Sequence, residues 1–178
     1  MSSPSPSLLA LYFSCFMSDT QYSYAESGPA LEKIRDLFVA YAKSLNFSLC
    51  FQGFDKELAE LPGLYASPRG RLMLCQVDGQ AAGCVALKPL SSTVCEMKRL
   101  FVRPEFRGKQ IGLQLARRII HEAHDIGYEA MRLDTLRGPM EAAIAIYKSL
   151  GFREIAPYYH NPIADAVYME LLLKREGK

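Results

Sequence analysis

The chain lacks an excess of charge of either sign: 21 Lys and Arg against 19 Asp and Glu leave a net charge of +2 over 178 residues. So even a balance gives no electrostatic footprint for a nucleic acid. It also lacks Cys-x-x-Cys and Cys/His zinc spacings, and its five cysteines, at 15, 50, 75, 84 and 95, are odd in number. They read as free, reduced and mostly buried thiols of a cytoplasmic protein. No histidine is placed by sequence to activate one of them, so a nucleophilic cysteine has little support. No apolar run reaches bilayer length: Leu8 to Met17 covers ten residues, without the basic start or cleavage site of a signal peptide. His121 and His124 stand at i and i+3, whereas a zinc-protease helix needs i and i+4, so no metal is expected. Repeats, internal linkers and low-complexity blocks are missing as well, apart from a Ser/Pro-rich start. What remains is one ordinary domain at 18–178, with 1–17 as a loosely attached extension and no membrane partner.

The most informative stretch is Cys95 to Gly112, CEMKRLFVRPEFRGKQIG. Thr93 to Val102 reads as a strand, Arg103-Pro104 ends it, and a helix follows with apolar Ile111, Leu115, Ile119 and Ile120 on one face. The loop between them is short, basic and glycine-containing. A helix start carries N–H groups without intrahelical partners and partial positive charge, which makes it an anion site. Gly108 and Gly112 allow close approach, and Arg107 and Lys109 add charge. A phosphate or pyrophosphate is the natural guest. Neither a Walker loop nor a Gly-x-Gly-x-x-Gly fingerprint is present.

Arg107-Gly108-Lys109-Gln110-Ile111-Gly112 resembles the Arg/Gln-x-x-Gly-x-Gly/Ala signature with which GNAT-superfamily N-acyltransferases grip the pyrophosphate of acetyl-CoA. Gln110 stands where that signature usually has its central glycine. Ala142 to Phe152, AAIAIYKSLGF, resembles the A-x-x-L-Y-x-x-x-G-F segment that follows in the same superfamily. The resemblance covers roughly residues 20 to 173. It implies an α/β (α+β) fold, with a mixed, mostly antiparallel central sheet of about seven strands flanked by about four helices. Periodicity agrees. Strands are expected at 20–25, 71–77, 81–87, 93–102, 128–135, 152–155 and 166–172, and helices from 28, 55, 110 and 139.

The resemblance also implies direct transfer of an acetyl group from acetyl-CoA, as cosubstrate, to the primary amine of a small molecule or peptide. Backbone groups of Leu100, Phe101 and Val102 would pair with the pantetheine arm where their strand splays from the fifth. Arg107, Gly108, Lys109, Gln110, Ile111 and Gly112 would hold the diphosphate. Tyr147 matches the tyrosine that points at the CoA sulfur; an aromatic plug between helix and sheet is the other reading. Glu96 stands where some lysine acetyltransferases carry their general base, and is otherwise a partner for Lys98 or Arg99. Met140 replaces an asparagine that bonds pantetheine in many relatives. Phe47, Phe51, Phe54, Glu57, Tyr65, Tyr159, His160 and Asn161 are candidate acceptor contacts, with core packing or a surface turn as alternatives. Two other functions remain open: an acyl-CoA-binding sensor without turnover, and an acyltransferase with a different acyl-CoA. Dimers are common among such relatives.

Overall fold

A computed structural model describes residues 18–45, 53–138, 140–163 and 165–173. The extension at 1–17, Phe47, Phe51 and the expected helix start at Pro139 lie outside the described residues. The elements follow in the order β1 (Thr20–Tyr24), α1 (Gly28–Lys43), α2 (Phe54–Glu60), β2 (Arg71–Val77), β3 (Gln80–Pro89), β4 (Val94–Val102), α3 (Ile111–Ile126), β5 (Ala130–Leu136), α4 (Glu141–Ser149), β6 (Arg153–Ile155) and β7 (Ala166–Leu172). The strands form one sheet in the order β1-β2-β3-β4-β5-β7-β6. Only the β4–β5 contact is parallel. The mixed, mostly antiparallel architecture expected from sequence is therefore present. No helix among the described residues is long and apolar enough to cross a membrane.

Each face of the sheet has its own core. On one side Leu31, Ile34, Leu37 and Phe38 of α1 and Phe54 of α2 pack on Leu72, Leu74, Cys84 and Ala86. On the other, Ile111, Leu115, Ala116 and Ile119 of α3 and Tyr147 of α4 pack on Met73, Cys75, Val85, Met97, Met131 and Leu133. The two long helices carry apolar residues at helical spacing because only one stripe of each meets the sheet.

Strand β4 changes step part-way. Arg99 has φ of 57°, in the left-handed region, and the β3–β4 register shifts opposite it, between Cys84 and Ala86. Before this bulge Cys95 and Met97 face α3; after it Leu100 and Val102 face α3 while Phe101 turns to α1. One extra residue has reversed the parity of the strand. Lys98 and Arg99, adjacent in sequence, consequently both reach partners that line or flank the α1 side.

Candidate active site

Strands β4 and β5 pair over only three positions, Val94–Ala130, Cys95–Met131 and Glu96–Arg132. Both strands continue further, to Val102 and Leu136, so the sheet splits into a cleft. One cavity of about 830 Å³ runs from that cleft to the start of α3. Its walls include Leu100 to Val102, Arg107, Gly108, Gln110 to Leu113, Asp134 and Tyr147. The expected strand edge, helix start and tyrosine thus meet in one space.

The helix start is open. Gln110 occupies the N-cap position of α3 without a side-chain cap, and the first turn holds no acidic residue. Orphan N–H groups of that turn therefore stay available to an anion. Gly108 has φ of 80°, a conformation that suits glycine. Arg107 donates from Nε to the Val102 carbonyl at 3.2 Å, which ties the loop to the end of β4. Lys109 is exposed, its ammonium 5.8 Å from the Phe106 ring centroid, outside the cavity wall. Gln110 itself has φ of 59°. A left-handed non-glycine residue costs about 1 kcal/mol or more. Gln110→Gly is expected to stabilise the fold by about 1 kcal/mol in chemical denaturation, with the helix start unchanged.

Tyr147 is held by the end of its own helix. Gly151, with φ of 95°, donates to the Lys148 carbonyl at 3.0 Å, and Phe152 donates to the Tyr147 carbonyl at 3.0 Å. This is a Schellman closure, and the accompanying apolar contact is the Tyr147–Phe152 ring pair, centroids 5.7 Å apart. The Y-x-x-x-G-F spacing is thus the spacing of a helix stop, with the phenol as its fixed product. Burial first, then the charges of Tyr41 and Asp134, push the Tyr147 hydroxyl well above the usual phenol range. It keeps its proton at neutral pH and so remains able to donate a hydrogen bond.

The ionic pairs differ from those expected for Glu96. Lys98 bonds Asp134 at 3.0 Å, and the Arg99 guanidinium grips Glu57, with Nε 2.9 Å from Oε1. Glu96, 2% exposed, is held by Lys88 at 3.0 Å and accepts from the Tyr158 hydroxyl at 2.7 Å. It does not line the cavity; Asp134 does. Burial would raise the Asp134 carboxyl, but Lys98, the Tyr159 hydroxyl and Arg99 outweigh it and hold the group below its ordinary range. Tyr65 donates to Glu57 at 2.6 Å, so this expected acceptor contact and Phe54, 5.3 Å from the Arg99 guanidinium carbon, support Arg99 from behind. Tyr159 bonds Asp134 at 2.7 Å, Asn161 donates to Tyr159 at 3.3 Å, and His160 is exposed. Arg118 is drawn off to the Tyr22 ring, 4.2 Å from its centroid, so the basic residues do not form one cluster. Met140 lines the cavity and takes a contact from the Thr135 hydroxyl at 3.3 Å. Asp134 was not among the expected site residues, although the only carboxylate of the strand AMRLDTL was a usable signal.

Residues 32–152 match the model of the acetyltransferase (GNAT) family. The chain belongs to the GNAT acetyltransferase family. Among relatives, an uncharacterized N-acetyltransferase of Schizosaccharomyces pombe is 41% identical over 147 residues, covering 82% of this chain and 90% of that one. Among solved structures, an acetyltransferase from Streptococcus agalactiae superposes with a TM-score of 0.72 at 20% identity, over 86% of this chain and 98% of its own. The Salmonella typhimurium protein yncA, solved with its cofactor acetyl-CoA, gives 0.63 at 20% identity, over 90% and 98%. At that identity the likeness to both structures is one of fold. This GNAT protein is an enzyme of the acyltransferase class.

Proposed function

We propose that the protein moves an acetyl group from acetyl-CoA to a primary amine by direct transfer, with both substrates bound at once. The observation that carries this reading is the single cavity joining an uncapped helix start to a split in the sheet, with Tyr147 in its wall. An anion fits at the amides that open α3, beside Arg107 and Gly108. An extended amide-bearing arm fits the cleft, because beyond Glu96 and Arg132 the facing strands pair no further residues. Leu100, Phe101 and Val102 supply the backbone for that arm. Acetyl-CoA supplies the activated acyl thioester.

Tyr147 donates a hydrogen bond to the departing sulfur. Even between ordinary groups, phenol near 10 and thiol near 8.5, full proton transfer is uphill by about 2 kcal/mol. With the hydroxyl pushed higher still, the bond strengthens as charge develops on sulfur and precedes any transfer. Glu96 takes the amine proton. Because the carboxylate does not line the cavity, the proton passes to it through water rather than by direct contact with the amine.

Release of CoA from acetyl-CoA in the presence of a panel of primary amines, amino acids and peptides tests the proposal. Turnover with at least one acceptor is expected, and Glu96→Gln is expected to lower kcat about a hundredfold with that acceptor. Acetyl-CoA binding without turnover on any acceptor would favour a sensor instead.

A further inference from the structure

The cleft between β4 and β5 has a floor made of two side chains. The backbone pairs of these strands keep a constant offset of 36 residues, from Val94–Ala130 to Glu96–Arg132. Lys98 and Asp134 keep the same offset, and there the side chains take over from the backbone. Nζ lies 3.0 Å from Oδ1, with each side chain only 10% exposed. Asp134 is anchored from a second direction by the Tyr159 hydroxyl, 2.7 Å from Oδ2. Tyr159 is in turn fixed between Tyr158 and Tyr168, with ring centroids 5.4 Å away from each. Beyond this ion pair the strands stay apart. Lys98 and Asp134 line one end of the cavity, and Arg107, Gly108 and Gln110 line the other.

We propose that the Lys98–Asp134 pair is an acyl-length gauge that restricts the enzyme to short acyl groups. This rests on the acetyl-CoA reading above. An arm anchored by its phosphates at the start of α3 runs back along β4 from Val102 toward Lys98, roughly 13 Å of strand, and presents its acyl end to the ion pair. A two-carbon acyl group stops short of the pair. A longer chain has to push between Lys98 and Asp134, separating two buried charges that hold each other and leaving each without its partner. Its added methylenes also meet charged groups, so they lose the gain that apolar burial would bring. Tyr159 makes the floor stiff, because Asp134 cannot swing aside without giving up a second hydrogen bond.

Equilibrium binding of acetyl-, butyryl- and hexanoyl-CoA to the full chain tests the gauge without any amine acceptor. Wild-type protein is expected to bind hexanoyl-CoA on the order of tenfold more weakly than acetyl-CoA. Lys98→Ala combined with Asp134→Ala removes both charges together, so neither is orphaned. It is expected to erase that difference while acetyl-CoA affinity stays within about threefold. The milder Lys98→Gln with Asp134→Asn keeps a polar cross-strand contact and is expected to fall between the two. Equal affinity of the wild-type protein for acetyl- and hexanoyl-CoA would overturn the gauge, as would unchanged discrimination in either double variant. Failure of all three thioesters to bind the wild-type protein would overturn the acetyl-CoA reading itself, and the gauge with it.

Discussion

Tyr147→Phe is expected to slow turnover about a hundredfold while changing the dissociation constant of acetyl-CoA by less than about twofold. The split follows from what the hydroxyl does. The ring, with its contact to Phe152 and its place at the Schellman closure, is retained in the variant, so the cavity keeps its shape. Only the donor is lost. A hydrogen bond to a charged acceptor contributes about 1.5–3 kcal/mol, and it is made fully only as negative charge collects on sulfur. The loss therefore falls on kcat. Single-turnover kinetics with pre-bound acetyl-CoA, set beside equilibrium binding, checks both halves. Equal rates in the two proteins would reduce Tyr147 to a packing residue.

Glu57→Ala is expected to destabilise the fold by about 3–5 kcal/mol, because it strips the carboxylate from a guanidinium whose side chain is 2% exposed. In a domain of this size that lowers Tm by on the order of 10 °C. Restoring an apolar match on both sides, with Glu57→Leu and Arg99→Met together, is expected to recover most of the loss. The same pair sets an acid limit. Burial pushes the Glu57 carboxyl up, but Arg99 and the Tyr65 hydroxyl prevail and hold it below its unfolded value of 4.5. A carboxyl depressed on folding stabilises above its unfolded pKa and stops doing so as pH falls through the folded one. Denaturation midpoints should therefore be flat from pH 7 down to about 5 and decline below it.

The parts of the fold written in local patterns were legible from sequence. Each of the seven strands and four helices lies within a few residues of its expected place, because hairpin turns such as Asp78-Gly79 and helix stops such as Gly127 and Gly151 act locally. The loop at 107–112 and the Tyr147 segment were legible for the same reason: a helix start and a helix stop each fit in a few consecutive residues. The pairing of charges was not. Lys98 finds Asp134 across 36 residues and Arg99 finds Glu57 across 42, and nothing in the immediate neighbourhood of any of the four names its partner. Glu96 was expected either as a general base or as a partner of Lys98 or Arg99, its neighbours in sequence. In the fold its neighbours are Lys88, opposite it on β3, and Tyr158 from the loop after β6.

The left-handed turn of the backbone at Arg99 means that β4 is spelled in two reading frames. Without the bulge, unbroken alternation from Met97 would swap the strand's last three side chains between faces, sending Phe101 toward α3 and exiling Leu100 and Val102 to the α1 side, whereas losing Arg99 together with the bulge would leave all three on their present faces. The bulge that absorbs the extra residue thus keeps both layers of the protein intact at the point where they meet the cleft.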